Sequence, residues 1–349
     1  MVKRVLLFLG ICLLIAGSSV VLAMEPDARS FAMGGAYTAV VDDATAVYWN
    51  PARLPNIRFL SIALGVGLAS EDPGKTMEAF ETLLDKDDFE EIDEIDIDAN
   101  ASGAFLGAIA TRWVGVGIYG NVELDADVKS KKDEEALEFD WESGQTASAR
   151  ANGVLAIAKP FKRFNLGLAL KVVGDGRYTS GQSASAKVGE GGGEGEESSF
   201  TTQTYGTGYS ADLALSTSLT RMIQLGFVAQ DVFSSIEYER TIDGDIPLEP
   251  GKYKDKLDPT YRAGIAVCPG FGLTLAGDIT SNGDIHLGFE KNTLFNGLSL
   301  RGGMVSQDGV TEYRAGFGLN LAWFHAGIGI GFSDDDTPKA LMLDASLTF

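Results

Sequence analysis

Two histidines and a run of acidic residues are the side chains of this 349-residue chain best suited to chemistry. His286 and His325 both fall on the polar face of an alternating segment. A hydrolase built on either would need a nucleophile within hydrogen-bond reach and a third polar group to orient the ring. No G-x-S-x-G turn supplies that nucleophile. There is no C-x-x-C, no H-E-x-x-H and no Walker loop. Satisfied interior histidines are therefore expected, and the chain is not expected to be an enzyme. Asp96-x-Asp98-x-Asn100 imitates the opening of a calcium loop. Position six is Ala101, where that loop needs glycine, and position twelve is Gly107, where it needs glutamate. A solvated acidic loop is expected, with no metal and no cofactor.

Nine further charged residues share the inward face of alternating segments. They are Lys171, Asp212, Arg262, Asp278, Glu290, Arg301, Glu312, Arg314 and Asp344. Buried charges persist only when paired. Mixed signs imply an interior filled with ion pairs and a plug, in place of a wide pore of one charge. Gly is 43 of 349 residues, well above its usual roughly 7%, and inward glycines leave room for an occupant.

The elements that position these charges are strands. Residues 340–349 read A-L-M-L-D-A-S-L-T-F. Leu341, Leu343, Ala345, Leu347 and Phe349 point one way, and Met342, Asp344, Ser346 and Thr348 the other. An unbroken apolar face up to the last residue suits a strand with lipid on one side and a packed lumen on the other. The same alternation recurs at 164–172, 209–219, 271–279, 313–319 and 322–332. It predicts an all-β fold, a transmembrane antiparallel β-barrel of about 14 strands. The expected spans are 57–69, 102–111, 114–128, 137–158, 163–180, 202–218, 221–239, 259–268, 271–280, 284–290, 297–305, 310–319, 322–332 and 339–349. Short connections then alternate with longer ones, as in barrels with short periplasmic turns and long external loops.

The first 23 residues are expected to be a signal peptide. Lys3 and Arg4 precede the apolar run Val5–Ala16, and Val21-Leu22-Ala23 offers small residues for cleavage. Residues 24–56 then form an N-terminal plug or hatch and 57–349 the barrel. Without the leader only Cys268 remains, so no internal disulfide is expected. No other stretch is long and apolar enough for a helical span, and an exported chain without one can still cross a membrane as a closed barrel. A net charge of −21 argues against nucleic acid as a partner. Much of that charge falls in two expected loops. Residues 70–101 hold nine acids from Asp85 to Asp98, after a short helix expected over Met77–Leu84. Residues 189–199 are expected to be a flexible acidic tract.

The segment 28–54 reads A-R-S-F-A-M-G-G-A-Y-T-A-V-V-D-D-A-T-A-V-Y-W-N-P-A-R-L. Gly34-Gly35 is read as a flexible turn. Asp42-Asp43 are placed to cap a helix over Ala44–Tyr48, and Asn50-Pro51 to end it. Its Ala28-Arg29, Met33-Gly34-Gly35-Ala36, Asp42-Asp43-Ala44 and Asn50-Pro51-Ala52 elements resemble the N-terminal region of the FadL-like outer-membrane transporters of hydrophobic compounds. The nearer likeness is to the TraF-like and PorV-like subgroup. Asp258–Gly264 and Leu298–Gly303 look like that family's strand starts.

The resemblance implies a 14-stranded barrel closed by a hatch, to which Met33, Gly34, Gly35, Asp42, Asp43, Asn50, Pro51 and Ala52 would belong. It implies passive passage of small, fatty-acid-like compounds that leave sideways into the membrane. A final Phe349 resembles the signal read by the barrel assembly machinery. Outer-membrane lipid, that machinery and a small hydrophobic ligand are the partners implied. In the PorV-like branch the barrel would instead anchor or receive exported proteins, and a structural barrel is the third reading. The acidic first loop departs from the transporter pattern, since only Phe80, Leu83, Leu84 and Phe89 offer apolar contacts there.

Overall fold

The computed structural model describes residues 25–70, 73–74, 94–133, 138–189, 192–244, 248–293, 297–307, 309–332 and 338–349. The leader, the Met77–Leu84 helix, Phe80, Leu83, Leu84, Phe89 and the acids from Asp85 to Asp93 lie outside the described residues, as do the Asp96 and Asp98 side chains.

Alternating lipid-facing and lumen-facing side chains make the wall. Its first seven strands are β1 (Leu60–Ala69), β2 (Glu94–Thr111), β3 (Val114–Asp133), β4 (Glu138–Pro160), β5 (Asn165–Gly189), β6 (Gly192–Ser218) and β7 (Ile223–Gly244). A five-residue strand, β8 (Gly251–Asp255), follows. The second half is β9 (Thr260–Gly270), β10 (Leu273–Thr280), β11 (Ile285–Thr293), β12 (Leu298–Gln307), β13 (Val310–Leu321), β14 (Phe324–Phe332) and β15 (Pro338–Thr348). Neighbours are antiparallel throughout. β1 pairs with β15 from Ser61↔Thr348 to Ala69↔Ala340, and β6 pairs with β7, so the sheet has no seam left open. The result is a closed 14-stranded barrel, with β8 added beside the upper part of β7.

Closure has a physical consequence on each face. Outside, Leu64, Leu68, Ile118, Leu170, Ile265 and Leu343 are exposed in a continuous apolar belt. So much exposed apolar surface on a closed sheet fits acyl chains and not water. Phe59, Trp113, Phe161, Phe271, Trp323 and Phe349 border the belt at the end where the tight turns lie. Tyr209, Tyr261 and Tyr313 border it at the other. Such aromatic girdles mark the two headgroup levels.

The strands of β9–β15 have 8 to 12 residues, close to the roughly 9–11 that a tilted strand needs to cross a bilayer. Those of β3–β7 have 20 to 27, so one side of the barrel stands far above the other. This corrects the expected ends. Residues 94–101, 129–133, 181–189, 192–201 and 240–244 are strand and not loop. The reason is that both faces of the sheet are wet above the belt. No hydropathy contrast is needed there, and the backbone ladder continues without one. The acidic tract at 192–199 is likewise paired with β5, from Gly189↔Gly192 to Gln182↔Ser199.

Residues 25–56 fill the lumen. They contain helix α1 (Ala28–Ala32), helix α2 (Ala46–Trp49) and a 3-10 turn over Pro51–Asn56. Helix α2 starts two residues later than expected. The Asp43 carboxylate accepts from the Thr45 N–H at 2.9 Å and so caps the turn before the helix, while Asp42 pairs with Arg29. The last residue seals the wall below this plug. The Phe349 N–H donates to the Leu60 carbonyl at 2.8 Å, its carbonyl accepts from Phe59 N–H at 3.0 Å, and its ring stacks on Trp323 at 5.8 Å. Deleting Phe349 should therefore lower the yield of heat-modifiable, membrane-inserted barrel. An unchanged yield on gels of outer-membrane fractions would count against a role in closure.

Candidate functional site

The plug reaches the wall through glycines. Gly34 and Gly35 have φ of 65° and 76°, a left-handed pair that glycine adopts without steric cost. They are buried in a tight turn. The Gly34 carbonyl accepts a bond from His286 Nδ1 at 2.7 Å. On the wall, Gly288 and Gly303 face this turn. A Cβ on either would overlap the Met33 or Gly34 backbone. Gly167 gives Ala52 the same clearance, and Gly226 does so for Thr38.

Charges then tie the plug down. Arg29, on α1, sends Nε to Glu290 at 2.9 Å, Nη2 to the other Glu290 oxygen at 3.0 Å and Nη1 to Asp42 at 2.7 Å. Its own N–H donates to Asp344 at 2.8 Å. Glu290 also accepts from Arg301 Nε at 2.8 Å, with both side chains almost fully buried. Arg314 bridges Glu312 on the wall and Glu25 on the plug. Asp278 accepts from the Tyr37 and Thr38 N–H groups at 3.2 and 3.0 Å, with Arg262 3.9 Å away. The Arg262 guanidinium also lies 5.0 Å over the Trp49 ring. Seven of the nine inward charges named from sequence thus surround the plug. The other two, Lys171 and Asp212, pair at 2.7 Å elsewhere on the wall.

Of the plug residues, Asn50 has the clearest local task. Its Nδ2 donates to the Thr38 carbonyl at 2.9 Å and its Oδ1 accepts from the Ala52 N–H at 3.1 Å. Pro51 starts the 3-10 turn, where its missing N–H costs nothing. Arg53 follows, donating to the Val41 and Val40 carbonyls and to Gln224. Asp27 caps α1 by accepting from the Ser30 N–H at 2.8 Å, and it accepts from Trp49 Nε1 at 3.1 Å. Burial pushes the Asp27 carboxyl up to about 6, aided by the charges of Asp344 and Asp43 and opposed by the Ser30 bonds.

Lys171 and Asp212 mark a second feature, which alternation alone did not reveal. The ladder between β7 and β9 ends at Gln230↔Thr260, and that between β7 and β8 resumes at Ile236↔Asp255. Between them residues 231–235 have no ladder partner on that side of β7, and 256–259 none opposite them, while Phe233 to Ser235 stay paired with β6. The β6–β7 register also shifts here, between Ala211 and Leu213. Asp231 sits at the kink with φ of 56°, a left-handed conformation uncommon for a residue with a side chain. It is held by Lys171 Nζ at 2.6 Å, by Ser210, and by its own N–H to Asp212 at 2.8 Å. Across the break the contact is through the Ser234 hydroxyl, which accepts from the Leu257 N–H at 2.9 Å. The available signal in the sequence was Asp258-Pro259, because proline cannot donate to a ladder.

Two cavities flank the plug. The one at the turn end is about 770 Å³ and polar, lined by Arg29, Asp42, Arg53, Arg58, Glu290 and Arg301 among others. The one above is about 280 Å³, lined by Tyr48, Tyr119, Arg150, Asn152, Asp231 and Leu257 among others, and it reaches the break.

Comparison with known proteins establishes the fold. No family model matches the chain, and no curated protein matches its sequence. Solved structures do match. The chain is similar to the Pseudomonas putida toluene transporter TodX, with a TM-score of 0.60 and 12% identity over 94% of this chain and 99% of that one. It is similar to the CymD monoaromatic hydrocarbon channel, with a TM-score of 0.56 and 12% identity over 93% and 97%. A Pseudomonas aeruginosa FadL homologue gives 0.58 and 11% over 93% and 99%. The fold is therefore FadL-like.

Two outcomes follow from the plug's contacts. Asn50→Ala with Pro51→Ala leaves the Thr38 carbonyl and Ala52 N–H unpaired, at about 1–3 kcal/mol for each buried group. Single-channel conductance and dye entry should rise, and unchanged values would argue against a hatch. The raised Asp27 value makes its contribution to docking full below about pH 4 and lost as pH rises through 6. Hydrogen-exchange protection of the Ser30 amide should rise from pH 7 to pH 5, and Asp27→Asn should flatten that dependence.

Proposed function

We propose that this chain is an outer-membrane barrel through which small hydrophobic compounds, fatty-acid-like chains included, pass passively from the cell exterior. The observation that carries this reading is the break in the wall beside the cavity on the upper face of the plug. A compound resting there has two ways onward. Along the axis it would meet the Arg29–Glu290–Arg301 group and a polar cavity beyond it. Parting buried ion pairs leaves charges uncompensated, at about 3–5 kcal/mol for each partner removed. Sideways, among the described residues, it would meet only the Ser234–Leu257 contact, and then acyl chains. Leu257 and exposed Phe233 lie at that opening.

Support also comes from the fold shared with TodX and CymD, whose names state toluene transport and a monoaromatic hydrocarbon channel. In this reading Met33, Gly34, Gly35, Asp42, Asp43, Asn50, Pro51 and Ala52 form the hatch and the inward charges hold it in place. A leader ending near residue 23, assembly through Phe349, and membership of the TraF-like or PorV-like subgroup belong to the same proposal. One feature favours the second reading, a barrel that anchors exported proteins. The tall β3–β7 wall offers a large polar face above the membrane.

A cysteine pair separates the two readings. In a Cys268→Ser background, Ser234→Cys with Leu257→Cys should close the break on oxidation. Uptake of labelled toluene, octanoate or benzyl alcohol into proteoliposomes should fall severalfold and recover on reduction. Uptake unaffected by the cross-link would reject the sideways route. Absence of uptake by the unmodified protein would reject passage and favour anchoring.

A further inference from the structure

The chemistry of the upper cavity narrows what it can hold. We infer that it takes a neutral single-ring compound with a hydrogen-bonding group, in preference to an organic anion or a bare hydrocarbon. This rests on the passage reading and specifies the compound class.

Volume comes first. About 280 Å³ lies at the small end of ligand pockets and suits one ring with a short substituent. The ring has a matching surface. Tyr48 and Tyr119 meet edge to face at 4.8 Å and 80°, so both an aromatic edge and a face border the space.

Polarity comes next. Asn152 lies directly opposite Tyr119 in the β3–β4 ladder, and it is only 8% exposed. Its amide lines the cavity and has no hydrogen-bond partner among the described residues. A buried amide offers both a donor and an acceptor, and leaving it unmatched by a bare ring is unfavourable. The Tyr48 and Tyr119 hydroxyls also have no partner among the described residues. A hydroxyl or carboxamide on the ligand would satisfy these groups, whereas a methyl group would not.

Charge decides against an anion. Both cations that line the cavity are paired with carboxylates, with Arg150 Nε alone left buried without a partner. Lys171 Nζ is shared by Asp212 at 2.7 Å and Asp231 at 2.6 Å. Arg150 faces Asp175 at 3.3 Å, and that carboxylate also accepts from Tyr238. Two cations therefore stand against three carboxylates. Asp231 lines the cavity, while Asp212 and Asp175 stand behind the lining, and an arriving carboxylate would have to displace a paired acid to reach either cation.

The test uses the full mature protein in detergent and three ligands of one ring: benzyl alcohol, benzoate and toluene. Dissociation constants come from saturation-transfer NMR titration at pH 7. Benzyl alcohol should bind about tenfold tighter than either of the others, one hydrogen bond's worth of discrimination. Asn152→Leu should bring benzyl alcohol down to the level of toluene, and Tyr119→Phe should weaken it in part, each with heat-modifiability retained. Equal or tighter binding of toluene or benzoate would overturn the assigned class and leave passage intact. An Asn152→Leu barrel that folds and binds benzyl alcohol as before would overturn the role of the amide. Binding of none of the three would overturn the class and the passage reading together.

Discussion

Arg29 holds the interior together. A guanidinium inside a barrel is tolerable only if its donors find anionic partners, and here Glu290 and Asp42 supply them while the Arg29 backbone N–H donates to Asp344. The pairing joins residues 261 and 315 positions apart in sequence. It fixes α1 against β11 and β15, and thereby sets where the remaining plug must run. Glu290 is shared with Arg301, so plug and wall satisfy one another's charges and neither is complete alone. Such a group adds little net stability over a well-packed apolar core, but it strongly disfavours any other arrangement of the same plug.

The inward glycines are the steric counterpart of that charge pairing. Plug backbone lies directly against Gly288, Gly303, Gly167 and Gly226. Side chains there would force it away and lengthen every ion pair. The close fit leaves two separate spaces, a polar one at the turn end and a smaller aromatic-lined one above. The left-handed Asp231 and its lysine prop open the ladder beside the smaller space.

Much of this was legible in the residues alone. A period of two marked all 14 barrel strands, because a lipid outside and a packed inside impose opposite polarity on alternate positions. The same period identified the nine inward charges, and the rule that buried charges pair foretold an occupant. Above the belt the signal vanished. There both faces meet water, so the upper parts of β2–β7 carried no contrast to read, and the backbone ladder extended them regardless.

The sequence by itself determined the sheet, its lipid face and the presence of a charged, plugged lumen, since these follow from local alternation and charge. Only the tertiary structure decided which charge meets which, because those partners are hundreds of residues apart and come together through barrel closure. The break at Asp231 also belongs to the assembled wall. A register shift between β6 and β7 and a ladder shared between β8 and β9 are relations among strands, and neither leaves a mark on a single strand's pattern.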